Sequence, residues 1–257
     1  MNTLYFVICA VLVANLSTFS TAQVCDRVCV TRTGLKSGTD KDSISEATCE
    51  VGKFLTGCSS YSEDSSERAG EQIKRASNGR VGCIATNGEN GSGTRAYARC
   101  CKWPHMRCNY VNGNKSSTPD DDGSMAFCPD KINCFDAFVT GCSLRSPWKG
   151  LTGAKPMMPN YCLGYNENVD RGLWVSSACC SASNFNCNTK SVQTGTVEGD
   201  KAVVGCDDGW ILTGCSVRNP NHPTRGAYID EDDNCVAVNG ADGKAIWAIA
   251  VCCKDTY

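Results

Sequence analysis

Six cysteines recur three times along this chain at nearly constant spacing. The first set is Cys29, Cys49, Cys58, Cys83, Cys100 and Cys101, or C-x19-C-x8-C-x24-C-x16-C-C. Its opening cysteine returns at Cys108 and Cys187, in two steps of 79 residues. Its adjacent pair returns at Cys179-Cys180 and Cys252-Cys253. A period of this length identifies tandem copies of one small module. Each module has about 75 residues, where a hydrophobic core alone gives a marginal fold and cross-links must supply the rest.

Residues 1–22 read as a secretory signal peptide: a short apolar core from Phe6 to Leu16, then Ser20-Thr21-Ala22 at the cleavage positions, though without a leading Lys or Arg. The apolar run is too short to span a bilayer, and no later stretch reaches about 18 apolar residues, so membrane insertion is not expected. Loss of Cys9 with the leader makes the cysteine count an even twenty. That density belongs to disulfide scaffolds of oxidising compartments. No C-x2-C knuckle and only two histidines argue against a metal site. A net charge of −2 without a basic run argues against nucleic acid.

Three motifs repeat inside every module. Phe54-Leu55-Thr56-Gly57-Cys58-Ser59 is matched by Phe138-Val139-Thr140-Gly141-Cys142-Ser143 and by Ile211-Leu212-Thr213-Gly214-Cys215-Ser216. Cys83-Ile84-Ala85-Thr86-Asn87-Gly88 is matched at Cys162 and at Cys235, and a short β-prone run enters each cysteine pair. Short runs of this kind between Gly, Asn, Asp and Ser read as strands and turns. Asn87-Gly88 and Asn239-Gly240 carry the signal for type I′ hairpins. Ser65 to Ala76 is polar almost all round and reads as a loop or one helical turn. The expected fold is all-β: three tandem disulfide-rich β-sandwich modules at 23–107, 108–186 and 187–257. Neighbouring cysteines on a strand point to opposite faces, so each pair should tie its strand to two separate partners.

The cysteine ladder, the Leu-Thr-Gly-Cys-Ser motif, the Ala98-Arg99-Cys100-Cys101 ending and the segment from Gly226 to Val236 resemble the Cys/His-rich C-terminal domain of the proprotein convertase subtilisin/kexin type 9 family. The resemblance covers essentially all of the expected mature chain. It implies a pseudo-threefold arrangement and a disulfide pairing: Cys29–Cys101, Cys49–Cys100 and Cys58–Cys83; Cys108–Cys180 and Cys142–Cys162; Cys187–Cys253, Cys206–Cys252 and Cys215–Cys235. Cys179 has two possible partners, Cys134 and Cys128. Cys134 is favoured because its distance to Cys142 is nearer that of its counterparts. Cys25 and Cys128 then form a tenth bridge, or link to another chain. No subtilisin-like domain stands between the leader and the first module, and the family's histidine richness is missing, so a pH-dependent role does not transfer.

Catalysis is not expected, since oxidised cysteines are not nucleophiles and His105, in an intermodule connector, and His222, in a turn, read as exposed loop residues. Asp120-Asp121-Asp122 and Asp230-Glu231-Asp232-Asp233 read as solvated loops rather than calcium sites, and no cofactor or metal is assigned. Asn90 and Asn114 head N-glycosylation sequons. Trp174 and Trp247, on strands entering cysteine pairs, read as packing residues. Trp148, in a Ser-Pro-Trp-Lys-Gly loop, is the best exposed binding aromatic. The expected function is a secreted, extracellular, non-catalytic scaffold that binds an extracellular or cell-surface protein. The alternatives are a disulfide-linked matrix or adhesive component, self-associating through Cys25 or Cys128, and a lectin-like carbohydrate binder.

Overall fold

A computed structural model describes residues 28–116, 123–147, 152–164, 172–219 and 223–256. These residues form strands and turns, with no helix among them. Module one contains β1 (Val28–Thr33), β2 (Ile44–Thr48), β3 (Phe54–Tyr61), β4 (Arg68–Arg75), β5 (Val81–Asn87) and β6 (Arg95–Lys102). Module two contains β7 (Arg107–Asn112), β8 (Ser124–Phe127), β9 (Lys131–Ile132), β10 (Phe135–Asp136), β11 (Phe138–Arg145), β12 (Ala154–Met157), β13 (Tyr161–Gly164) and β14 (Trp174–Ser181). Module three contains β15 (Phe185–Gln193), β16 (Lys201–Val204), β17 (Ile211–Arg218), β18 (Thr224–Ile229), β19 (Cys235–Asn239) and β20 (Trp247–Asp255).

Every module is a sandwich of two antiparallel three-stranded layers. In module one the layers run β1-β6-β3 and β2-β5-β4; in module two, β7-β14-β11 and β8-β13-β12; in module three, β15-β20-β17 and β16-β19-β18. Between the layers lie cores of aliphatic side chains, alanines and cystines, such as Leu55, Ile73 and Cys58–Cys83 in module one. Modules two and three repeat the arrangement around Val139, Leu144 and Val175 and around Leu212, Val217 and Ile246. Alternation along the strand entering each cysteine pair sends its two sulfurs opposite ways. Cys101 bonds its cross-strand neighbour Cys29 within one layer, while Cys100 reaches through the sandwich to Cys49. Cys58–Cys83 is a second link between layers. The same three links recur as Cys108–Cys180, Cys128–Cys179 and Cys142–Cys162, and as Cys187–Cys253, Cys206–Cys252 and Cys215–Cys235.

The Thr-Gly step of the repeated motif closes the three sandwiches into a ring. In β3, β11 and β17 the ladder slips at this step, between Leu55 and Gly57, Val139 and Gly141, and Leu212 and Gly214. Such a bulge turns the local backbone away from its own sheet. The three bulges meet. A Cβ placed on Gly57 would lie 2.8 Å from Gly214 Cα, one on Gly141 2.6 Å from Gly57 Cα, and one on Gly214 2.9 Å from Gly141 Cα. Only glycine permits three backbones to approach this closely. The threonines beside them are fully buried. Thr56 Oγ1 donates to the Thr213 carbonyl at 2.8 Å and Thr213 Oγ1 to the Thr140 carbonyl at 3.3 Å.

Farther from the axis each motif strand meets a neighbouring module. Ser62 N–H donates to the Arg225 carbonyl (3.0 Å), Ser146 N–H to the Ala69 carbonyl (3.0 Å) and Asn219 N–H to the Thr152 carbonyl (2.6 Å). Module one thus docks on module three, two on one, and three on two, giving a closed cycle of three seams. Gly70, Gly153 and Gly226, all at positive φ, let the partner backbone approach at the three contacts.

Four expectations are corrected. Cys179 bonds Cys128, not Cys134. Cys128 therefore cannot bridge to Cys25, which lies outside the described residues. The β9–β10 hairpin is an insertion between Cys128 and Cys142, and Asn133-Cys134 form its two-residue turn with φ of 49° and 71°. This places Cys134 at an exposed tip with a free thiol. Second, Ser65 to Ala76 contains strand β4, whose Arg68 and Glu71 are buried at a seam while Lys74 and Arg75 face solvent. Third, neither Asn-Gly pair makes a hairpin, because β5 and β6, like β19 and β20, lie in different layers. Asn87 and Asn239 are instead buried, their side-chain amides donating to loop carbonyls such as Thr39 (2.8 Å) and Lys244 (2.7 Å). Fourth, Trp247 is not packed away: Ala248 and Ala250 face the core, so Trp247 points outward and is 37% exposed.

Candidate functional site

A ring locked at its axis leaves the outer sheet edges and the seams as surfaces for recognition. Each module ends its second layer in an edge strand: β2, β8 and β16. Alternation puts Ser45 and Ala47, Ser124 and Ala126, and Ala202 and Val204 inside, with their neighbours facing out. The three outward rows differ. β2 presents Ile44 with Glu46, whose carboxylate accepts from Ser77, and β16 presents Lys201 with Val203. Charges of this kind blunt an edge against unwanted pairing. β8 has none and instead presents Met125 and Phe127, 45% and 57% exposed. Phe127 stacks at 5.0 Å on Tyr161 of the neighbouring strand, and Met157 follows in the same cross-strand row. Large apolar side chains side by side on a solvent face mark an interaction surface.

The other sequence candidates fall in several environments. Trp148, His222 and Asp120-Asp121-Asp122 lie outside the described residues, as do residues 1–22. Asn90 and Asn114 are exposed in loops, and so is His105, held at φ 58° in the turn between β6 and β7. The second acidic run is part of the architecture. Asp230 accepts from Asp232 N–H and Asn234 N–H, and Asp233 pairs with the buried guanidinium of Arg99 at 2.7 Å across the seam between modules one and three. Among the described residues no cluster of three or more His, Cys, Asp or Glu could hold a metal. Trp103 is buried edge-to-face against Phe185, and Trp174 and Trp210 lie beneath Lys115 and Lys254.

A buried ion pair joins all three modules, and the sequence reading missed it because its segment looked like a loop. Arg68 and Glu71 of β4 are 1% and 8% exposed, with Nη1 to Oε2 at 3.0 Å. Ser60 of β3 contacts both partners. Arg68 also donates to the carbonyl and hydroxyl of Thr224 in module three, and Glu71 accepts from Leu144 N–H in module two. Burial pushes the Glu71 carboxyl above its usual range, while Arg68 and these hydrogen bonds pull it back. Burial lowers Arg68 in turn. These bonds run to residues of all three modules, so the pair ties the modules together.

The comparison with known families falls on the outer two modules of the repeat. A model of the proprotein convertase subtilisin-like/kexin type 9 C-terminal domain matches residues 21–105, and another model of the same description matches residues 181–256. Together they take in more than half of the chain.

Proposed function

Because the chain belongs to the proprotein convertase subtilisin-like/kexin type 9 C-terminal domain family, we propose that it is a secreted, non-catalytic scaffold that binds an extracellular or cell-surface protein. Its three modules are taken as 23–107, 108–186 and 187–257. The observation that carries this reading is the β8 edge: Met125, Phe127 and Tyr161 form an uncharged apolar row where the equivalent rows carry charges. The scaffold behind that row is cross-linked within each module and tied between modules, so little conformational entropy is lost when it docks. The secreted protein, fluorescently labelled, should bind saturably to cells that display its partner. Phe127→Asp should abolish that binding while leaving the melting temperature near that of the parent.

A second reading is favoured by one observation, the free and exposed thiol of Cys134. A matrix or adhesive protein would use it for covalent linkage between chains. Disulfide-linked oligomers that disappear on mild reduction and in Cys134→Ser would replace the soluble-ligand reading with this one.

A further inference from the structure

The three seams are related by the ring's cycle, yet their outer clefts are filled differently. Where module one meets module three, the cleft is packed with aromatic rings: Tyr228 lies 4.8 Å from Tyr61 and 5.9 Å from Tyr97. Where module two meets module one, the Lys115 ammonium covers the Trp174 indole at 5.1 Å, and Arg145 reaches toward Asp42 at 4.0 Å. Where module three meets module two, neither filling recurs among the described residues. A cavity of about 240 Å³ remains there, lined by Lys155, Ser191, Arg218, Trp247 and Ile249.

Strand register explains why these residues converge. Arg218, Trp247 and Gln193 are cross-strand neighbours in β17-β20-β15, and Ile249 pairs with Ser191 in the adjoining row of the same face. Gly153 bridges to Arg218 and carries Lys155, two residues on in β12, to the same side. The wall is thus an indole beside an aliphatic side chain, with a hydroxyl and two cations at its rim. None of the ion pairs formed among the described residues involves Lys155.

We propose that this cleft binds an anionic sugar unit, with the carboxylate or sulfate between Lys155 and Arg218 and one face of the ring against Trp247. Each element of the wall matches one property of such a ligand. Charge-assisted hydrogen bonds from a guanidinium and an ammonium suit a carboxylate or sulfate. An indole with an exposed face provides flat apolar area for the C–H face of a ring, and the Ser191 hydroxyl can donate to or accept from a ring hydroxyl. The volume lies below the ~300–1,000 Å³ usual for drug-sized ligands, so it suits one ring rather than an extended chain. Lys155 shares a cross-strand row with Leu163 and Met125 of the β8 edge, but the rest of the cleft wall belongs to other strands, and its occupancy does not depend on the protein-binding reading.

Calorimetric titration of the intact secreted protein with glucuronic acid, galactose 6-sulfate and neutral methyl glucoside tests the assignment. Saturable binding of one or both anions is expected, and the preferred one distinguishes carboxylate from sulfate. The neutral sugar should bind at least about tenfold more weakly, and added salt should weaken the anions. Lys155→Gln and Trp247→Ala should each weaken the preferred anion by about tenfold or more. Both side chains sit on the outer face, and Lys155→Gln alone decides the matter if the tryptophan variant does not fold. No saturable heat with either anion, equal binding of the neutral sugar, or unchanged affinity in Lys155→Gln would overturn the proposal.

Discussion

A methyl group placed on Gly141 would push module two off module one. The new Cβ would sit 2.5 Å from the Thr56 carbonyl oxygen, 2.6 Å from Gly57 Cα and 3.3 Å from the Thr56 carbonyl carbon. All three atoms are backbone atoms of module one, so no side chain can swing aside. Ordinary carbon contacts need about 3.5–4.0 Å, so the two modules must part by about 1 Å at the axis. Overpacking of a rigid core costs about 1–3 kcal/mol. Straining the Ser146–Ala69 hydrogen bond at the same seam removes about 1 kcal/mol more. Gly141→Ala should therefore destabilise the ring by about 2–4 kcal/mol, which lowers the melting temperature of a cooperative unit this size by roughly 5–15 °C. Gly38→Ala is the control: its added Cβ meets only the Ser43 side chain, at 3.1 and 3.6 Å, and it should change stability by less than about 0.5 kcal/mol. Scanning calorimetry of both variants with disulfides intact decides. If Gly141→Ala melts like Gly38→Ala, the three glycines do not touch and the modules are not closed into a ring at the axis.

Further outcomes follow from the bridges, the buried pair and the tyrosines. Cys128→Ser opens a link that closes 51 residues and should cost about 4 kcal/mol on the chain-entropy estimate. Cys134→Ser should leave urea unfolding unchanged within about 0.5 kcal/mol while removing a thiol that reacts with maleimide before denaturation. Arg68→Met leaves Glu71 buried without its cation and should cost about 3–5 kcal/mol at neutral pH. Because the folded-state pKa of Glu71 is then raised further above the usual 4.5, its stabilising contribution is full below that value and lost as pH rises. The deficit of Arg68→Met should therefore shrink on acidification, and a deficit that grows there would refute the sign. Burial raises Tyr97 and Tyr110 to about 12, so their phenolate absorbance should appear well above the ordinary tyrosine range. For such a group the stability present below about 10 is lost as pH rises toward 12, and unfolding should bring both titrations back together.

Much of the fold was legible in local pattern. Short β-prone runs, turn residues and a three-times repeated cysteine ladder are enough to read tandem sandwiches. The errors arose where a segment's partner lies far away in sequence. Counting back from Cys142 led to Cys134, because the β9–β10 hairpin is inserted in that stretch. Counting forward gives the observed pairing: Cys128 follows Cys108 by the same 20 residues that separate Cys29 and Cys49, and it precedes Cys179 by the same 51 that separate Cys49 and Cys100. The β4 segment has no alternating apolar face to show, since its buried residues include Arg68 and Glu71. Their burial makes sense only beside Ser60, Thr224 and Leu144. The two Asn-Gly pairs carry a hairpin signal, but the strands that flank them belong to different layers.

The candidate surfaces were less legible than the fold. Exposure of Phe127 follows from the phase of β8, and exposure of Trp247 follows from which face of β20 the core claims. Neither can be read from the residue type. Repeat number, strand character and oxidising chemistry follow from the sequence alone, because spacing, propensity and cysteine density are local properties. Why each motif carries Thr-Gly, which cysteine is left over, which edge lacks charge and which seam carries a cavity among the described residues were decided by tertiary structure. Those properties depend on three backbones meeting at one axis, and no single repeat contains more than a third of that contact.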